Sequence, residues 1–172
     1  EKDELLNYKI NPSKFNQPID NLPSTITHLT LGEYFNQPIN NLKYGIECIN
    51  IGWNFNQEIY NLPSSVLNLN LSSRFNTKIL NYPTKLLYLT LNGAFNQPID
   101  NLPSSVIFLT LGYYFNQTID NLPESITHLV LGEYFNQQIN NWPHSITHLT
   151  FGRDFNHPVD YLPSSILGLT LG

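Results

Sequence analysis

"FNQPIDNLP" occupies Phe15 to Pro23 and recurs letter for letter at Phe95 to Pro103. Close variants begin at Phe35, Phe115, Phe135 and Phe155, and the Phe alone returns at 55 and 75, so Phe is spaced by 20 residues without a slip. Each Phe is followed by Asn, from Asn16 to Asn156, and four residues after it comes Ile, or Val at Val159. Asn21 and Leu22 begin two further columns, and Pro follows in every unit except the one with Lys43. The unit closes on I-x-x-L-x-L, as in Ile26, Leu29 and Leu31.

That closing stretch alternates between apolar and polar residues, which is the period of a short strand with one face buried. Gly at 32, 52, 112, 132 and 152 then ends it. The segment from Pro23 suits an extended or turn conformation and not a helix. A 20-residue unit with one short strand is a coil of a solenoid. A single coil buries too few apolar side chains to offset the entropy of ordering it, so its neighbours must supply the rest by stacking. The phrase recurs because each coil has to match the one beneath it. Asn at two fixed, interior-looking positions fits the same scheme, because an amide can bond the backbone of the next coil's turn. A glycan on Asn116, within the sequon Asn116-Gln117-Thr118, is therefore not expected; a second sequon starts at Asn70.

The 172 residues carry 8 Lys+Arg against 13 Asp+Glu, for a net charge of −5. Phosphate binding needs clustered positive charge, so nucleic acid is excluded as the main partner. With 41 % apolar residues the chain can bury a core. Cys48 is the sole cysteine, which rules out an internal disulfide and fits a reducing, cytoplasmic setting. No apolar run approaches the length of a membrane span, and no signal peptide is visible.

The pattern "FNQPI…NLP.SI..L.LG" resembles the FNIP repeat, a branch of the leucine-rich repeat superfamily, over nearly the whole chain. The resemblance implies a β-rich leucine-rich-repeat solenoid of about eight coils. One parallel sheet would line the concave face, with an extended, turn-rich convex side and little or no α-helix. It also implies right-handed coiling, in line with the general crossover rule. FNIP arrays are abundant in giant viruses of amoebae and in social amoebae. There they often follow an F-box, which implies substrate recognition for ubiquitin ligases and a host protein as partner. No F-box is seen in Glu1 to Ile10. Residues 1–14 are expected to form a partial coil and cap, with Tyr8 and Ile10 facing inward, and residues 15–172 the array. "NLKYGIECIN" stands where "NLPSSITHLT" is expected, so the coil around residues 41–54 should be distorted but retain Ile46, Ile49 and Ile51 in the core. The chain stops at Gly172 directly after a strand, which reads as an uncapped coil and suggests truncation, a missing neighbour or end-to-end self-association.

If the fixed positions hold the stack, function sits where the coils differ. One outward strand column runs His28, Cys48, Asn68, Tyr88, Phe108, His128, His148, Gly168. Its neighbour includes Thr30, Thr90 and Thr110, and the following turn includes Trp53 and Tyr113. His28, Thr30, Trp53, Tyr88, Thr90, Phe108, Thr110, Tyr113, His128 and His148 form the candidate partner-binding face. Tyr88 and Phe108 should stack in mid-array, either as anchors for a partner or as cross-strand packing. His128 and His148 are neighbours with Glu133 close by, yet their spacing follows from the repeat alone, and no metal or other cofactor is expected. Asp20, Asp100, Asp120 and Asp160 share a turn column that could hold calcium, but Asn40, Tyr60, Leu80 and Asn140 interrupt it, which favours a solvated turn. No phosphate loop, H-E-x-x-H or G-x-S-x-G occurs, and Cys48 with His28 one coil away lacks an oxyanion site. The chain is thus expected to be a protein-binding scaffold and not an enzyme. The alternative is a structural, self-assembling virion component.

Overall fold

A computed structural model describes residues 13–172; the expected cap at Tyr8 and Ile10 lies outside the described residues. Eight short strands follow one another: β1 (His28–Leu31), β2 (Cys48–Ile51), β3 (Asn68–Leu71), β4 (Tyr88–Leu91), β5 (Phe108–Leu111), β6 (His128–Val130), β7 (His148–Thr150) and β8 (Gly168–Thr170). They form a single parallel sheet in chain order, and there is no helix among the described residues. Register is one repeat throughout: Leu29 lies beside Ile49, Leu89 beside Leu109, and Leu149 beside Leu169.

The alternation read from the sequence is the alternation of burial. In β3, Leu69 and Leu71 are buried and Asn68 and Asn70 half-buried. The chain then turns at the Gly position and sends Phe back inside. Phe35, Phe55, Phe75, Phe95, Phe115 and Phe135 are all fully buried, each ring stacked on the next with centroids 5.8–6.3 Å apart. Each buried Phe is worth about 2–3 kcal/mol of transfer free energy. The column frays at both ends: Phe15 is exposed and Phe155 partly so.

Equivalent points are closer on the sheet. Strands lie ~4.8 Å apart, and the rings on its outer face are 4.2–4.9 Å apart. The coils therefore spread from the sheet towards the Phe column, which puts the sheet on the concave side. At the turns directly after the strands the coils touch. A Cβ on Gly132 would lie 2.0 Å from the Gly112 carbonyl oxygen, and one on Gly152 2.3 Å from that of Gly132.

The two Asn columns make ladders, as expected. Asn16 Oδ1 accepts the amide N–H of Asn36 at 2.8 Å, and the same bond recurs at 2.9 Å up to Asn156 on Asn136. In the second column Asn61, Asn81, Asn101 and Asn141 donate Nδ2 to carbonyls of the preceding coil at 3.0–3.1 Å. One point is corrected: these side chains are not interior. Asn16 and Asn56 are exposed and Asn36 half-buried, because the ladder runs along the outside of the turns. A third ladder was not foreseen. Ser65, Ser105, Ser125, Ser145 and Ser165 donate Oγ to carbonyls of the preceding coil at 2.6–2.8 Å. The irregular coil at 41–54 keeps its sheet register and buries Ile46, Ile49 and Ile51. Its distortion is confined to the turn, where Gly45 takes φ +115° and occupies the place of the ladder serine.

Candidate partner-binding face

Two side chains per strand point away from the core, and among these sixteen outward positions there is no Asp, Glu, Lys or Arg. The first half of this face is polar, with His28, Thr30, Cys48, Asn50, Asn68 and Asn70. The second half is aromatic. Tyr88 stacks on Phe108 at 4.9 Å, Phe108 on His128 at 4.2 Å, and His128 on His148 at 4.5 Å. Parallel pairing in strict register forces this: side chains 20 residues apart start from neighbouring backbone points and lean the same way. Because the rings stack face to face, their π faces cover each other. The column offers its edges, including the Tyr88 hydroxyl. Tyr88 and His148 are exposed; Phe108 and His128 are half-buried.

The histidines are held by the residue before them. Oγ1 of Thr27, Thr127 and Thr147 lies 2.9, 2.8 and 3.0 Å from Nδ1 of His28, His128 and His148. Burial and the neighbouring His148 hold the His128 imidazole below the usual histidine range. Parallel rings 4.5 Å apart aim their nitrogens in parallel and not at one point. No group of three metal-ligating side chains exists among the described residues.

Beside the aromatic strip, in the turns after β5 and β6, Tyr113, Tyr114 and Tyr134 pack edge to face or tilted at 4.9–5.3 Å. All three remain exposed at their outer sides. A hydrogen bond with Tyr113 raises the Tyr134 phenol. Arg153, whose guanidinium bonds Asp154 at 3.2 Å, stands in the next turn. Between the strip and this cluster, Val130 is exposed on β6.

The candidate residues thus separate into groups. Tyr88, Phe108, His128 and His148 form one continuous column, and Thr90 lies beside Thr110 in the adjacent one. Tyr113 joins the tyrosine cluster. His28, Thr30 and the exposed Trp53 sit with the first strands, several coils from the aromatic strip. Tyr114 and Tyr134 complete the tyrosine cluster; the doublet Tyr113-Tyr114 and the recurring "EYF" are the signals that show them in the sequence. Cys48 accepts a weak bond from Asn50 Nδ2 at 3.4 Å and is half-buried. On the convex side Asp120 caps the next coil: its carboxylate accepts the Asn140 N–H at 2.7 Å, which holds the acid below its usual range despite partial burial. Asp20 and Asp100 likewise accept from Asn41 and Asn121, so these acids serve the turns.

No helix is long and apolar enough to cross a membrane among the described residues. No curated protein matches the chain. Among solved structures it is similar to CroV588, a giant-virus protein described as a novel circular LRR protein. The two share 40 % identity over 87 % of this chain, with a TM-score of 0.83, and the match covers 24 % of that chain. This sequence therefore spans about a quarter of that neighbour's length. The FNIP repeat model matches residues 15–42, 75–114, 95–121, 115–142 and 139–172. The stretch it leaves out holds the coil with Lys43, Tyr44 and Gly45. With the sheet, the ladders and these matches together, the chain belongs to the FNIP repeat family, as a leucine-rich-type β-solenoid.

Proposed function

We propose that this array is a protein-binding scaffold whose partner docks on the sheet face over β4–β7. One observation carries the reading: a column of four stacked rings on a face without formal charge, bordered by three exposed tyrosines. Scattered exposed aromatics need no explanation, but a contiguous strip of them marks an interaction surface. Tyr is among the residue types that most often anchor partners, and the strip is held rigid by its own stacking. The absence of charge implies a neutral, largely apolar contact, so affinity should change little between ~50 and ~500 mM salt.

The kinship with giant-virus arrays supports a host protein as partner. Substrate selection for a ubiquitin ligase rests on the family resemblance alone, and the rival reading of a self-assembling virion component has no observation of its own behind it. The test compares proteins captured from amoebal lysate by the wild-type chain and by Phe108→Glu. Phe108 is half-buried on the outer face, so the variant should fold with an unchanged circular dichroism spectrum yet lose a specific partner. Equal capture by both proteins sinks the docking face.

A further inference from the structure

The second Asn column has a single break. Asn stands at 21, 41, 61, 81, 101, 121 and 141, and Tyr161 takes the eighth place. A phenol cannot reach back as the amide does, and Tyr161 instead stands 89 % exposed. The carbonyls of Asn40, Tyr60, Leu80 and Asp120 each accept from the Asn of the following coil. The equivalent carbonyl of Asn140 has no hydrogen-bond partner among the described residues. Asn41 and Asn121 reach the carboxylates of Asp20 and Asp100 instead, so among the described residues the last two coils alone lack this side-chain bond. A cleft of about 590 Å³ lies between them, larger than the groove of about 470 Å³ at Asn40 and Tyr60 where the bond is kept, and an adjoining lobe of about 340 Å³ shares Gln138, Ile139, Trp142 and Tyr161 with it.

Trp142 is itself an exception, replacing the Leu of most coils; its ring packs edge-on against Phe151 at 6.1 Å and is half-buried. The polar lining is Gln138, Asn140, Asn141, His144, His157 and Ser164, and none of the lining side chains is an acid, a lysine or an arginine. The volume is that of a small-ligand site, and its makeup is the rings of Trp142, Tyr161 and Phe155 among groups without formal charge. Asn141 Nδ2 is committed to the Asp120 carbonyl, whereas the Gln138 amide and the Asn140 carbonyl have no partner among the described residues. Both residues are exposed, so the carbonyl is free to accept from a ligand and the amide both to give and to accept. Hydroxyls satisfy both, and the C–H faces of a sugar ring suit aromatic side chains.

We propose that this convex cleft binds a neutral saccharide, held against Trp142 and Tyr161 with its hydroxyls on Gln138 and the Asn140 carbonyl. The site lies on the opposite side from the sheet face and does not depend on what docks there.

The chain has two tryptophans, so Trp53→Phe leaves Trp142 as the only one. In that background chitotriose, cellotriose and maltotriose are each titrated to millimolar concentration while Trp142 emission is followed. At least one should give a saturable change. Tyr161→Asn, which removes one of the rings and returns the column to its own residue type, should weaken that sugar at least about tenfold. The same variant should raise the melting temperature, which shows that loss of binding is not loss of fold. No saturable change with any of the three sugars overturns the proposal. So does an equal response in the Tyr161→Asn variant, or saturation by a proline-rich peptide with none by the sugars.

Discussion

The imidazoles of His128 and His148 lie parallel, with centroids 4.5 Å apart and planes 7° from each other. Thr147 Oγ1 donates to the Thr127 carbonyl at 3.1 Å and sits 3.0 Å from His148 Nδ1. A hydroxyl has one proton. With that proton on the carbonyl, the oxygen accepts from His148, whose proton must then be on Nδ1 while Nε2 stays bare. Nitrogen-detected NMR above neutral pH should show His148 as the Nδ1–H tautomer, and Thr147→Val should release it to a mixture. A predominant Nε2–H form in the wild-type chain would contradict the assigned bonding.

The same stack makes stability depend on pH. Partial burial and the second imidazole lower the His128 pKa. Its folded value therefore lies below the unfolded value of about 6.5, and the unfolded chain takes up the proton first. His128 costs nothing above about pH 6.5; below it, as pH falls towards the folded pKa, stability is lost. Melting temperature should thus fall between about pH 7 and about pH 5.5, and His128→Gln should remove part of that fall. Identical pH profiles for the two proteins would exclude a contribution from the stack.

The phenylalanine column should be costly to cut in the middle and cheaper at its edge. Phe95 is fully buried between Phe75 and Phe115, while Phe155 is only partly buried. Phe95→Ala is expected to lose about 3–5 kcal/mol in urea denaturation. Phe155→Ala should lose clearly less, since its ring already gives up less water-accessible area on folding. Equal losses would mean that the coils do not pack as a graded stack.

The Asn ladder separates the acceptor from the rest of the side chain. Asn96 Oδ1 accepts two bonds, from the Asn116 N–H at 2.9 Å and from Gln117 Nε2 at 3.1 Å. Asn96→Ala leaves both donors to water at a half-exposed site, so about 1–2 kcal/mol should be lost. Asn96→Asp keeps an oxygen in place and should lose less. The order of the two denaturation midpoints decides the matter: an Asp variant no better than Ala would show that the carbonyl oxygen is not what stabilises the turn.

What could be read from the sequence follows the repeat. Phe, Ile and Leu at fixed offsets meant a stack, and the stack fixed the register that places Tyr88 on Phe108. The ladders were legible only where the residue type announced itself. Asn was recognised because an amide at a fixed place demands a partner, whereas Ser65 and its equivalents looked like ordinary turn residues. Depth was harder to judge. A conserved-looking column such as Asn36 was read as interior, yet a bond to the next turn needs only proximity along the axis and no burial. The tyrosine cluster was half seen, because Tyr113 alone is a surface residue, while its contact with Tyr134 depends on the path of two successive turns. The break at Tyr161 is visible in the Asn column, but the cleft beside it depends on how the last two coils pack.

The turn glycines give the sharpest contrast between coils. A Cβ on Gly132 would meet the Gly112 carbonyl oxygen at 2.0 Å and carbon at 2.4 Å, both backbone atoms that cannot swing aside. A Cβ on Gly32 would meet Ser13 Cβ at 3.1 Å, a neighbour that needs to give only slightly. Gly132→Ala must therefore wedge the coils of β5 and β6 apart at the turn and stretch the hydrogen bonds beside it, at about 3 kcal/mol or more. Gly32→Ala should stay within about 1 kcal/mol of wild type. In a linear array each coil contacts only its neighbours, so a wedge in the middle also uncouples what lies beyond it. Hydrogen exchange on Gly132→Ala should show the amides of β6–β8 losing protection ahead of those of β2–β4, while Gly32→Ala leaves that order unchanged. If Gly132→Ala melts as one unit with uniform protection, the close approach at this turn does not control the coupling between coils.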